Sequence, residues 1–337
     1  MITQHDLEKH DPHKMHKFYD LWPQIARESY ESEFEDVCYD KINHIVFAGM
    51  GGSGAIGDLF SSILSKSKIH VTLVKGYLLP RTVDKNTLVI TTSISGNSGE
   101  SLAVLESAKN LDCSLIAFSS GGKMMELCKK NNIEYRKIDY IHSPRSSLAK
   151  YVYSMLKVLS PVLPITKNEI TESINQLGII KKNISSDNLS DSNDAINLAS
   201  WISGIPLIYY PYGLQSAAIR FKSSLQENAK LHVMIEDVIE ASHNNIVSWE
   251  RPSTVQPILI QGKDDYIKTK ERWDILKQYL KENKIDYRQV TSVSGSILSK
   301  IVTLYYLLDY CSIYKAVINQ TDPTPVRSID YIKSKLR

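Results

Sequence analysis

The chain has 337 residues, with 40 basic against 37 acidic side chains and a net charge of +3, a balance that leaves no electrostatic footprint for nucleic acid. At 42% hydrophobic and 23% charged residues its composition is that of an ordinary globular protein, long enough for two domains that each bury a core. Cys38, Cys113, Cys128 and Cys311 lack Cys-x-x-Cys spacing and read as buried thiols in a reducing compartment, and with no signal peptide and no run of 18 apolar residues a soluble cytoplasmic protein is expected, away from any membrane.

His5, His10, His13 and His16 open the chain. Their spacing drifts around a helix axis and no Glu or Cys joins them, so no metal site is expected there. A solvated amphipathic helix from about His13 to Glu31 is the plainer reading. It holds no helix-turn-helix pair.

From Asn43 to about Tyr140 strands near 44–49, 70–74, 87–92, 113–118 and 134–138 alternate with helical stretches. That is the pattern of a parallel sheet wound on both sides by helices, with ligands at the carboxyl ends of its strands. The first strand runs into Val46 to Gly57, VFAGMGGSGAIG, where Gly49, Gly51, Gly52 and Gly54 let the backbone turn its N–H groups onto an anion at a helix start. Gly52 belongs to that cradle, and Ser53 adds a hydroxyl donor. Gly49, Gly51 and Gly54 also satisfy the dinucleotide fingerprint, but the second strand ends in Lys75 and Gly76 where an acidic residue would hold a ribose. No Gly-Lys-Ser or Gly-Lys-Thr follows for a P-loop.

The third strand empties into Ser93-Ile94-Ser95-Gly96-Asn97-Ser98-Gly99-Glu100, followed by a helix from about Ser101 to Asn110. Ser93, Ser95 and Ser98 with backbone N–H groups can surround a phosphate without lysine. The alternative is that Ser98 caps its helix while the other two are turn residues. Two such loops on parallel strands favour the phosphate.

The Ser-Ile-Ser-Gly-Asn-Ser loop behind Gly-Met-Gly-Gly-Ser-Gly resembles a sugar isomerase (SIS) domain, a flavodoxin-like phosphosugar-binding fold. Nearly the whole chain resembles the bifunctional phosphoglucose/phosphomannose isomerases of archaea and some bacteria. In the SIS pattern Ser98 stands where relatives commonly carry threonine, the loss of one methyl group.

His142-Ser143-Pro144-Arg145 opens a helix over 146–159. Arg145 reads as a surface charge on its own; the resemblance makes it the arginine of the family's Pro-Arg motif, which stabilises an enediolate. Helices over about 167–182 and 192–203 flank a polar surface loop, 183–194. Strands near 206–210, 231–235, 256–261 and 286–291 then suggest a second sheet of the same type, without a second phosphate loop. The expected fold class is α/β: two doubly wound parallel-sheet domains, 1–160 and 161–337, with a C-terminal helix folding back.

Gln226-Glu227-Asn228-Ala229-Lys230, late in a helix starting near Gly213, resembles the motif that bears the catalytic base. Ser242-His243-Asn244-Asn245 resembles the motif whose histidine opens the sugar ring, and Lys333 matches a lysine that reaches back from the C-terminal segment. A lone Glu or His in such places is ordinarily a solvated charge or a structural group. The resemblance implies aldose-ketose isomerisation of glucose 6-phosphate or mannose 6-phosphate to fructose 6-phosphate through a cis-enediol, with no metal or other cofactor, in a homodimer with shared sites. Two alternatives stand beside it. A non-catalytic phosphosugar-binding SIS protein would not need Glu227, His243 and Lys333 together, and a glucosamine-phosphate isomerase of the amidating kind would need a glutaminase domain with an N-terminal cysteine where this chain begins Met1-Ile2-Thr3. Val326, Ile329 and Ile332 recur at helical spacing, so the last helix is expected to dock by an apolar face.

Overall fold

The computed structural model describes residues 2–336. The chain divides into two compact units: residues 21–175 with 296–298, and residues 2–20, 176–295 and 299–336. The expected division at 160/161 is displaced because distant segments supply each core. Residues 2–20 pack with the second half, and the chain passes between units inside the helix Lys167–Ile184.

Unit 21–175 is built on five parallel strands: β1 (His44–Ala48), β2 (His70–Val74), β3 (Thr87–Ser93), β4 (Ser114–Ser119) and β5 (Glu134–Lys137). Their spatial order is β2-β1-β3-β4-β5. Every residue of β1 and β3 is buried, as continuous apolar and β-branched runs covered on both faces should be, whereas edge strands β2 and β5 are largely half-exposed. One face of the sheet packs Val46, Ala48, Val74, Val89, Val104 and Ala108 together. On the other, Phe47 stacks on Phe60 of the helix Gly52–Leu64 with ring centroids 5.1 Å apart.

The other unit carries β6 (Ile205–Tyr210), β7 (Met234–Asp237), β8 (Val255–Gln261) and β9 (Arg288–Thr291), all parallel in the order β7-β6-β8-β9. Its core joins Leu207, Tyr209 and Leu259 to Trp249 and Trp273. Strand β7 starts three residues later than its sequence pattern suggests.

Apart from its first two residues, the helix Ile297–Ile318 belongs to the same unit; it is long and apolar enough by length and composition to cross a membrane, but is buried as a core element. Its tyrosines bind the N-terminal segment and its neighbour: Tyr306 donates to the Tyr19 carbonyl (2.7 Å), Tyr310 to the Asp20 carboxylate, and Tyr314 to the Ile184 carbonyl (2.9 Å). The solvated helix expected over 13–31 is instead two helices, Met15–Asp20 and Trp22–Tyr30, with His16, Tyr19, Asp20 and Trp22 all buried. Buried Asp11 fixes the first of them, accepting from the Met15 and His16 amides and lying 2.6 Å from His16 Nδ1. All four cysteines are free thiols; Cys128 and Cys311 are buried and Cys38 is exposed, against the expectation that all four lie inside.

Candidate active site

In the order β2-β1-β3 the crossover direction reverses between β1 and β3, and the loops after those two strands face a common crevice. Both serine-bearing loops sit there. Ser53, in the first turn of the helix Gly52–Leu64, accepts at Oγ from the Ile94 amide (3.1 Å), which ties the glycine cradle to the serine loop and leaves the hydroxyl proton to donate elsewhere. No side chain caps that helix; the Ser53 amide donates back to the Met50 carbonyl (3.0 Å) and the Ala55 amide to the Gly51 carbonyl (3.0 Å), while the helix end keeps the partial positive charge that favours an anion.

Ser98 occupies the N-cap position of Gly99–Ala108 but makes no side-chain cap bond. Its hydroxyl instead accepts from Ser93 Oγ (3.1 Å), while its amide donates back to Ser93 Oγ (3.3 Å). The capping alternative is therefore not what the loop adopts. Ser93 is fully buried, Ser53 nearly so and Ser95 exposed, so the hydroxyls lie at different depths.

A third loop, after β4, was not anticipated, although Ser119-Ser120-Gly121-Gly122 is visible in the sequence. Ser120 Oγ donates to the Ile94 carbonyl (2.7 Å), the Met124 amide to the Gly96 carbonyl (2.9 Å) and the Lys123 amide to Asn97 Oδ1 (3.2 Å). This backing makes Gly96 irreplaceable: its φ is +71°, and a Cβ there would lie 1.9 Å from the Gly121 carbonyl oxygen. Gly96→Ala should destabilise this unit by about 3 kcal/mol or more in urea denaturation.

Arg145 departs from the usual exposed arginine: it is 4% exposed, in a turn knotted by serines. Ser147 Oγ donates to the carbonyls of Ile141 and Ser143 (both 2.8 Å), and Ser146 Oγ to that of Ile141 (2.9 Å). The turn abuts the cradle, since a Cβ on Gly52 would come within 3.1 Å of the Pro144 carbonyl oxygen. Gly52, Ser53, Ser93, Ser95, Ser98 and Arg145 thus all belong to one compact unit.

Glu227, His243 and Lys333 belong to the other. Glu227 ends the helix Gln215–Asn228 and stands on the wall of a cavity of about 800 Å³, with Ser223, Lys230 and His232 on one side and Asp322, Pro325 and Arg327 on the other. Asn228 is buried and donates to Ser312 Oγ (2.7 Å), which fixes the end of the helix. Lys230, at φ +58°, reaches the Glu227 carbonyl and the Pro325 carbonyl (2.8 Å), so it straps the C-terminal segment beside the base. His13 pairs with Asp322 (2.9 Å) at the start of that segment. Lys230→Met should speed amide hydrogen exchange over 324–329 and cut turnover by about tenfold, if the strap holds the segment in place.

His243 is exposed in the turn between Val238–Ala241 and the 3-10 helix Asn245–Glu250. Asp237 caps the first through the Ile239 (2.8 Å) and Glu240 (3.2 Å) amides, and Tyr209 donates to Asn245 Oδ1, anchoring the second. A smaller cavity of about 360 Å³ lies beside Ser242, between Ile246, Arg272 and Tyr279. Glu227 precedes β7 and His243 follows it, so one chain places them at opposite ends of its parallel sheet. Neither His243 nor Lys333 lines the Glu227 cavity. Lys333 is exposed on the helix Arg327–Lys335, which buries none of its side chains; the expected docking of Ile329 and Ile332 is absent, and both are exposed together with Tyr331.

Sequence comparison places these elements. Residues 39–143 match the SIS domain model, and residues 191–336 match the model of the bacterial phospho-glucose isomerase C-terminal SIS domain. The bifunctional phosphoglucose/phosphomannose isomerase of Caldicellulosiruptor bescii is 31% identical over 336 residues, covering 96% of each chain. The chain belongs to the bifunctional phosphoglucose/phosphomannose isomerase family. Its Aquifex aeolicus member is 30% identical over 90% of this chain and 94% of its own, and a relative from Sulfolobus acidocaldarius, 26% identical over 73% of this chain and 77% of its own, is named D-glucosamine-6-phosphate 4-epimerase. The fold is shared with a hypothetical protein from Thermus thermophilus (TM-score 0.75, 12% identity, 98% of this chain and 92% of that one). It is shared too with the C-terminal domain of glucosamine-fructose-6-phosphate aminotransferase from Francisella tularensis (TM-score 0.65, 16% identity, 91% and 96%).

Proposed function

We propose that this isomerase interconverts glucose 6-phosphate and mannose 6-phosphate with fructose 6-phosphate, and that the residues named above carry the reaction. The observation that carries the assignment of the base is the Glu227 carboxylate on the wall of an 800 Å³ cavity, at the fixed end of its helix. The phosphate group is held by Ser53, Ser93, Ser95 and Ser98 with the Gly52 backbone, which needs no metal to neutralise it because a helix N-terminus and several hydroxyls converge there.

Ring opening moves a proton from the C1 hydroxyl and delivers one to the ring oxygen, a task for His243 with Lys333. Glu227 then takes the C2 proton of the open aldose and returns it to C1, while the O2 hydroxyl proton passes to O1, so that C1 ends as a hydroxyl carbon and C2 as the ketone. Between those steps negative charge gathers on the O1 and O2 atoms of the enediolate, and the Arg145 guanidinium stabilises it. The two aldoses differ only at C2 and share this intermediate, so one base that reaches either C2 hydrogen serves both.

The homodimer with shared sites rests on the sheet itself. Because Glu227 and His243 stand at opposite ends of it, a site using both takes them from two copies, and the exposure of His243 suits a group that serves a neighbour. The cytoplasm, where these sugar phosphates enter glycolysis and gluconeogenesis, is the compartment this reading places it in.

The test is a coupled assay with glucose 6-phosphate, mannose 6-phosphate and, given the epimerase relative, glucosamine 6-phosphate. Turnover of the first two and not the third is the expected result. Mixing Glu227→Gln and His243→Ala homodimers should regenerate activity after subunit exchange; no recovery despite demonstrated exchange would place both groups in one chain's site.

A further inference from the structure

The second sheet has no serine-rich phosphate loop, yet it repeats the geometry of the first. In the order β7-β6-β8-β9 the crossover direction reverses between β6 and β8, so the loops after those two strands flank a crevice at the carboxyl edge, where open parallel sheets take their ligands. In the first sheet the polar groups at the reversal include Ser53, second residue of the helix that follows β1, and Ser93, last residue of β3. The corresponding positions of the second sheet are Ser216, second residue of Gln215–Asn228, and Gln261, last residue of β8.

Both side chains are buried, Ser216 at 1% and Gln261 at 8% exposure, and neither Ser216 Oγ nor Gln261 Nε2 has a hydrogen-bond partner among the described residues. Buried polar atoms are ordinarily paired, so two orphans at one edge of one sheet require a group that pairs them. Their isolation has a local cause. In the first sheet the amide that follows β3, that of Ile94, donates to Ser53 Oγ. The amide that follows β8, that of Gly262, donates instead to the Asp265 carboxylate (2.9 Å), on which the turn closes so tightly that a Cβ on Gly262 would lie 2.2 Å from Asp265 Oδ1. Ser216 thus lacks the partner that its counterpart has.

The chemistry of these groups selects the ligand. A side-chain amide nitrogen only donates and a serine hydroxyl readily does, so the pair suits an acceptor-rich group. The helices that follow the two strands, Gln215–Asn228 and Ile267–Glu282, both start without a side-chain cap, and their N-termini add partial positive charge. The carboxylates of the loop after β8 are already engaged, Asp264 with Lys300 (2.9 Å) and Asp265 with the Gly262 amide and the Trp273 indole (3.0 Å). Lys263, whose amide donates to Ser292 Oγ (3.2 Å), and Lys300 offset their charge. We propose that this crevice is a second anion site, in which Ser216 and Gln261 hold oxygens of a phosphoryl group, carried by inorganic phosphate or by a sugar phosphate. No residue assigned to the isomerisation takes part in it.

The site is tested on the full chain labelled with nitrogen-15 glutamine. The Gln261 side-chain amide signal, identified by its loss in Gln261→Leu, should move saturably as inorganic phosphate is added, with a midpoint of about 1 mM, as suits a small anion held by a few neutral donors. Sodium chloride at the same ionic strength should leave it in place. Ser216→Ala keeps the reporting signal and should raise the midpoint by about tenfold or more. Since that substitution removes a buried hydroxyl that has no partner, it should not lower Tm in phosphate-free buffer, and kcat on hexose 6-phosphates should stay within about twofold of the parent. Ser216→Cys, similar in volume with a weaker donor, gives the same reading if the alanine variant does not fold.

Repeating the titration with the equilibrium mixture of hexose 6-phosphates separates the two sources of the phosphoryl group: a midpoint below that of phosphate assigns a sugar phosphate, and one at or above it assigns the free anion. A Gln261 signal that stays in place up to about 50 mM phosphate overturns the proposal and leaves the two groups to enclosed water. So does a movement that neither Ser216→Ala nor Ser216→Cys alters, which would report phosphate bound elsewhere. The signal is read at the second sheet whether or not the protein turns over hexose phosphates, so its failure leaves the catalytic reading untouched, and failure of the catalytic reading leaves this site standing.

Discussion

Glu227→Gln should lower turnover of both hexose 6-phosphates by about 10²-fold or more while fructose 6-phosphate still binds with near-parental affinity. The substitution keeps the shape of the side chain and removes the one function the proposed chemistry requires of it, the acceptance of a proton from carbon. The surroundings should not respond. The helix end is fixed by the Asn228 side chain on Ser312 and by Lys230 on the backbone carbonyl of residue 227, contacts that the substitution does not remove. The phosphate ligands belong to the other compact unit. Binding measured by calorimetry and kcat from the coupled assay separate the two effects; a variant that turns over at near the parental rate would remove Glu227 from the mechanism.

The parts of this site that the sequence made legible are those whose chemistry is local. Gly96 and the serines around it announce themselves because a short segment must both turn tightly and present donors, and each strand before them is a continuous β-branched or apolar run. The flavodoxin-like strand order then follows from the alternation of elements. What stayed hidden depends on partners far away in the chain. Nothing near Asp20 says that Tyr310 and Ser186 will bury it, nor does anything near Asn245 say that Tyr209 will hold it, so the first helix read as solvated and the His-Asn-Asn turn read only as a motif. Likewise, Ser98 precedes a helix and its sequence fits a cap, yet its hydroxyl is engaged by Ser93 five residues back. The spacing of Val326, Ile329 and Ile332 correctly marks a helix with an apolar side. Periodicity cannot say what covers that side, and within one chain nothing buries it.

That last helix gives the second large effect. Lys333→Ala should cut turnover by about 10²-fold, whereas Lys335→Ala, on the same last turn, should cost less than about twofold. The contrast matters because both lysines are exposed cations near a helix C-terminus, where either favours the dipole by a few tenths of a kcal/mol. Lys335 is already occupied over the Tyr331 ring at 5.7 Å. Lys333 is assigned to the reaction because an ammonium that reaches the sugar can supply a proton or a hydrogen bond as charge develops on its oxygens. Removing residues 333 onward should do the same damage as Lys333→Ala. It should do so without loss of stability, since the helix buries no side chain and its deletion exposes no core. Thermal unfolding and kcat measured on the three variants decide the point: equal kinetics for Lys333→Ala and Lys335→Ala would show that the lysine has been misassigned. A truncation that unfolds the protein would instead show that the apolar side of this helix, with Ile329 and Ile332, is covered in the native assembly and that its docking is structural.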